Sequence, residues 1–146
     1  MMAVEFNSET LTVYGQALSY DPYYFAIAAE YNYTGTEWDG VVKDVLRQWA
    51  EGLLGMADGG TLYLPFGIYD QCLQCMEADL IGEAVALRCV WLDIGGYSLN
   101  LPDLSEFMGG RHKVNKASPK SLGSFSRVEL VAGLRKAKLI PGEPKL

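Results

Sequence analysis

Between Thr61 and Ile94 apolar side chains return at every second position in three successive runs, a period that places the middle of the chain in a sheet. Leu62, Leu64, Phe66 and Ile68 share one face of the first run, and Pro65, which has no N–H to give a neighbour, assigns that run to an edge or a bulge. In the second run, Cys72, Met76, Ala78 and Leu80 alternate with Gln71, Glu77 and Asp79, and Ile81-Gly82 reads as the turn that follows. The third run, Ala84 to Ile94, is apolar on both sides, as suits a central strand covered on both faces. Gly95-Gly96 then reads as a two-residue hairpin loop leading into a further strand through Tyr97, Leu99 and Leu101, which Pro102 ends.

Ahead of this meander, Thr10 to Tyr20 reads as one strand, Asp21-Pro22 as a turn and Tyr23 to Tyr33 as a second strand, although Tyr24, Ile27, Ala28 and Tyr31 also fit a helical period. Trp38, Val42, Val45, Leu46, Trp49 and Leu53 recur at helical spacing, with Lys43, Asp44, Arg47, Gln48 and Glu51 opposite, and Asp58-Gly59-Gly60 stops the helix. Asp103 to Met108 reads as a short helical turn and residues 110–125 as a long basic loop. Ser126 and Glu129 have the spacing of a capping box, opening a helix to about residue 139 with Leu130, Val131, Leu134 and Ala137 inward. The expected fold is α+β: a largely antiparallel sheet of about six strands against one main helix, with a C-terminal helix, in a single domain over residues 1–146. A chain of this length buries about 68–70% of its unfolded surface, enough for one core.

The charge is unevenly distributed. Residues 1–110 hold 3 Lys/Arg and 16 Asp/Glu, a formal −13, whereas residues 111–146 hold 9 and 2, a formal +7, which together give the net −6. Either the basic end docks on the acidic body, or the two parts face differently charged partners. No apolar run is long enough to span a bilayer and the start of the chain has no export signal, so a cytoplasmic protein without membrane attachment is expected.

Candidate chemistry is sparse. Cys72-x-x-Cys75 has the spacing of half a zinc or redox site, but only Cys89 and His112 remain to complete it, and in a strand positions three apart face opposite ways. Buried, reduced thiols are the simpler account. A cysteine nucleophile would need His112 as base, and Arg111 and Lys113 beside it lower its basicity. No phosphate-binding loop, nucleophile elbow, His-Glu-x-x-His pair or calcium loop occurs. The chain is therefore expected to have no catalytic set, no metal site and no cofactor. Arg111, Lys113, Lys116 and Lys120 form a basic segment that, with Arg127, has the chemistry to touch phosphates, but the acidic remainder opposes nucleic acid.

Tyrosines concentrate between Tyr20 and Tyr33, and Tyr20 and Tyr24 are the ones left as exposed anchors, rimmed by Asp21, Glu30, Glu37 and Asp39. With Glu77 and Asp79 on a solvated strand face, these residues form the expected partner-binding surface, suited to a basic protein. The acidic α+β layout, with Gly60-Thr61-Leu62-Tyr63-Leu64-Pro65-Phe66 followed by Asp70-Gln71, resembles the small immunity proteins that neutralise bacterial polymorphic or contact-dependent toxins. That resemblance implies inhibition by occlusion of a toxin's basic active-site cleft, without catalysis. Two alternatives stay open: a small enzyme or small-molecule-binding domain with a pocket between sheet and main helix, and nucleic-acid binding through Arg111 to Arg127.

Overall fold

A computed structural model describes residues 4–6, 10–13, 16–19, 38–69, 71–94, 99–115 and 119–139. The expected Tyr23 to Tyr33 strand, the Asp21-Pro22 turn and the Gly95-Gly96 loop lie outside these residues. The chain is α+β, and its described strands form two four-stranded sheets. The larger sheet is antiparallel and runs in the order β4 (Thr61–Ile68), β5 (Leu73–Ile81), β6 (Ala84–Leu92), β7 (Lys120–Ser126). The smaller sheet joins β1 (Val4–Phe6), β2 (Thr10–Val13) and β3 (Gln16–Ser19) in an antiparallel meander, and β8 (Lys138–Leu139) adds to β1 in parallel. Three helices, α1 (Trp38–Gly55), α2 (Ser105–Gly109) and α3 (Arg127–Arg135), complete the described elements.

The single sheet of about six strands is thus corrected to a principal sheet of four with a separate small one. Thr10 to Tyr20 is two strands rather than one: Val13 pairs with Gln16, so the chain reverses between them. The strand expected through Leu99 and Leu101 is replaced by a turn at Leu101-Pro102. Pro102 has no N–H for a ladder, and the neighbouring backbone is held by a side chain instead. Gln48 Nε2 donates to the Leu101 carbonyl at 2.6 Å, while the Leu104 N–H donates to Gln48 Oε1 at 2.6 Å. Gln48, grouped in the sequence with the polar side of its helix, is consequently buried.

The basic loop of residues 110–125 is also corrected, because its last part is β7, paired along β6 from Ala84↔Ser126 to Cys89↔Lys120. The C-terminal helix starts as expected, with the Ser126 hydroxyl accepting the Glu129 N–H, but it ends at Arg135 so that Lys138 and Leu139 can pair with β1.

Other expectations hold in detail. Strand β4 lies at a sheet edge and its register shifts between Pro65 and Gly67, so Pro65 marks both an edge and an irregularity. Strand β6 is interior, between β5 and β7. One face of the larger sheet, carrying Leu62, Leu64, Met76, Ala78, Leu80, Val85 and Leu87, belongs to a core that includes Val42, Val45, Leu46, Trp49 and Leu53 of α1. Gly52 explains why α1 tolerates a poor helix former: a Cβ there would stand 2.7 Å from Met108 Cε and 3.1 Å from Leu62 Cδ1. Helices α1 and α3 lie against each other, with Leu130, Val131 and Leu134 buried.

Candidate functional site

The opposite face of the larger sheet is apolar at one end and polar at the other, and the register sets the division. Pro65, Cys75 and Val90 form one cross-strand row, whereas Tyr63, Glu77 and Arg88 form another, and Thr61, Asp79 and Ala86 the next. The tight turn at Gly82-Glu83, where Gly82 takes a left-handed φ of 62°, fixes these rows. A turn centred one residue earlier, as the sequence suggests, would slide β6 past β5 and separate Glu77 from Arg88.

Glu77 is not the solvated acid expected. It is buried, and its Oε1 accepts from Arg88 Nε at 3.0 Å and also from Arg88 Nη2. Burial, together with the negative charge of Glu77, pushes the Tyr63 phenol up to about 12. Asp79 is half-buried and accepts from the Thr61 hydroxyl at 2.5 Å.

His112 closes this end of the sheet. Its ring lies against Phe107, with centroids 4.4 Å apart, and meets Tyr63 edge-on at 4.9 Å. Its Nε2 is 2.7 Å from the Phe107 carbonyl, which can only accept, so Nε2 carries the hydrogen and does not serve as a base. With Gly109, Gly110 and Arg111, these residues line an open cleft of about 620 Å³.

Raised phenol ionisation has a measurable consequence. In an ultraviolet titration of the folded protein one tyrosine is expected to ionise only near pH 12, and Tyr63→Phe should remove that step. The sign for stability follows: the unfolded phenol ionises near its ordinary value of about 10, so Tyr63 favours the folded state fully below that pH. Its contribution is lost as pH rises toward 12. A late step that persists in Tyr63→Phe would assign it to another residue.

The cysteines do not assemble with the histidine. Cys75 and Cys89 are buried and Cys72 is half-buried, and burial pushes all three thiols up, away from the reactive thiolate. No cysteine lines the His112 cleft. Among the described residues no group of three or more His, Cys, Asp or Glu is placed to hold a metal. No described helix is long and apolar enough to cross a membrane. Between the main helix and the sheet, Trp49, Leu53, Leu64, Phe66 and Met76 are buried in one core.

Of the expected partner-binding residues, Tyr20, Asp21, Tyr24, Glu30 and Glu37 lie outside the described residues, and Asp39 is placed only by its backbone in α1. Glu77 and Asp79 are brought together in the cleft. Arg111, Lys113 and Lys120 are exposed, and Lys116 lies outside the described residues. Among the described residues, an ion pair between the basic part and the acidic body is made by Arg127, whose Nη2 is 2.7 Å from Glu83 Oε1.

Several residues take roles that the one-dimensional pattern did not give them: Tyr63 in the cleft, Arg88 against Glu77, and Asp58, Glu83 and Arg127 where the end of α1 meets the β5–β6 turn. Placing the turn at Gly82-Glu83 would have found Arg88 opposite Glu77. The position of Arg127 has no local sequence signal, since its partners are 44 to 74 residues away. No family model, curated protein or solved structure matches this chain.

Proposed function

We propose that the chain is a cytoplasmic protein-binding inhibitor that neutralises a bacterial toxin by covering that toxin's basic active-site surface. The observation that carries this reading is that, among the described residues, the ion pairs leave several carboxylates of the body outside them. Its three cations are Lys43, Arg47 and Arg88; Arg47 is taken up by Asp44 and Glu51, and Arg88 by Glu77. Of the basic part, Arg127 alone forms an ion pair with an acid of the body among the described residues. The described carboxylates of Asp58, Asp79, Asp93, Asp103 and Glu106 take part in none of these pairs and would attract a cationic partner, which raises the rate of encounter.

The cleft around His112 favours a small-molecule reading through its converging polar groups, but those groups are largely spent on one another. The test is co-expression with the product of the adjoining gene, purifying through a tag on either protein. A stoichiometric complex and relief of that product's toxicity are expected. Separate elution together with undiminished toxicity would overturn the reading.

A further inference from the structure

We infer that the partner is seated on one end of the molecule, where α1 stops, the β5–β6 turn projects and α3 begins. This rests on the inhibitor reading above and specifies the surface that carries it. Four large hydrophobic side chains are exposed among the described residues, and three of them, Leu54 (48% exposed), Ile81 (70%) and Val128 (68%), belong to these three segments. Hydrogen bonds bring the segments together. The Arg127 N–H donates to the Glu83 carbonyl at 2.8 Å, and the Arg127 guanidinium donates to the Glu83 carboxylate and to the carbonyls of Leu53 and Met56. Asp58 accepts the Gly82 N–H at 2.7 Å, which ties the loop after α1 to the turn.

The charge of this end selects the occupant. Of the five carboxylates in residues 51–60, 79–86 and 126–131, Asp58, Asp79 and Glu129 are in no ion pair among the described residues, whereas Glu51 is paired with Arg47 and Glu83 with the guanidinium of Arg127. That guanidinium is turned inward and only 18% exposed, so it offers little to a visitor. Apolar side chains among carboxylates fit a protein that presents an apolar contact within a cationic surface. A second copy of the chain would set acid against acid, and nucleic acid or an anionic bilayer would be repelled in the same way. The bonds through Arg127 and Asp58 hold the three segments in place before binding, which lowers the ordering cost of association.

The experiment measures affinity between the purified chain and the purified product of the adjoining gene, for the wild type, for Ile81→Ser/Val128→Ser and for Lys113→Ala/Lys120→Ala. Both sites of the serine variant are exposed, so its melting temperature should stay close to wild type. Its affinity should fall at least tenfold, the lysine variant should bind as wild type, and the wild-type association rate should fall as salt is raised.

Wild-type affinity in the serine variant would place the interface elsewhere and leave the inhibitor reading standing. Failure of the wild type to bind would overturn both. If the serine variant does not fold, amide exchange in the wild-type complex decides: slowing at residues 81–85 and 127–130 is expected, and unchanged exchange there overturns the proposal. Self-association of the wild type that the serine variant abolishes would make the occupant a second copy and would also overturn it.

Discussion

Gln48→Leu is expected to lower the unfolding free energy by about 3 kcal/mol, which for a chain of this size is a drop in Tm of roughly 6–12 °C. The reason lies in what the amide holds. Its two ends satisfy the Leu101 carbonyl and the Leu104 N–H, and both of those residues are buried, so leucine leaves a donor and an acceptor without partners where water cannot replace them. Gln48→Glu should be at least as damaging. A carboxylate still accepts from Leu104 but turns a second acceptor toward the Leu101 carbonyl. Thermal melts of the three proteins check this, and a Gln48→Leu variant within about 0.5 kcal/mol of wild type would show that the segment before α2 is held by something else.

The second large effect concerns an asymmetric pair. Glu77 is buried, whereas the Arg88 side chain is 42% exposed. Removing the arginine strands a carboxylate in a poorly solvated place, but removing the carboxylate leaves a guanidinium that water still reaches. Arg88→Met is therefore expected to cost about 2 kcal/mol, less than the loss of one partner from a fully buried pair because solvent reaches the site. Glu77→Gln should cost about 1 kcal/mol, since its amide oxygen still accepts from Arg88. Replacing both, as Arg88→Met/Glu77→Leu, should recover part of the loss, because neither polar group is then left alone. Urea titration of the four proteins tests the order. A Glu77→Gln cost above that of Arg88→Met would mean that the carboxylate is better solvated than the arginine.

The elements that can be read in the sequence are those whose side chains alternate between core and solvent. Helix α1 shows itself because Val42, Val45, Leu46, Trp49 and Leu53 are all buried at helical spacing, and β6 because its apolar positions serve both faces. Strand β7 does not, because only Leu122 of its seven residues is buried. What makes it a strand is the ladder to β6, a backbone property that leaves little trace in side-chain pattern. Leu101 and Leu104 show the opposite failure: they are apolar and buried, yet their backbone is held by Gln48 rather than by a neighbouring strand.

The same distinction governs the candidate site. Acidity is a property of composition and is legible without coordinates. The Tyr63, Glu77 and Arg88 row depends on register, and a shift of one residue in the turn moves every pairing. The end of the molecule bearing Leu54, Ile81 and Val128 depends on contacts between distant segments, so no window of sequence contains it.

Arg127 gives that last point a temporal side. Its guanidinium joins groups 44, 71 and 74 residues earlier in the chain, so the loops it closes are among the longest in the described fold. Contacts of such separation form late, after helix α1 and the β5–β6 hairpin have already been made from local pieces. During synthesis, a chain whose Arg127 is still inside the ribosome has both of those pieces and the bonds that join them through Asp58, Gly59 and Gly60, but lacks the tie that adds α3. On the inhibitor reading proposed above, the end of the molecule that carries Leu54, Ile81 and Val128 would be complete only once this clasp has closed.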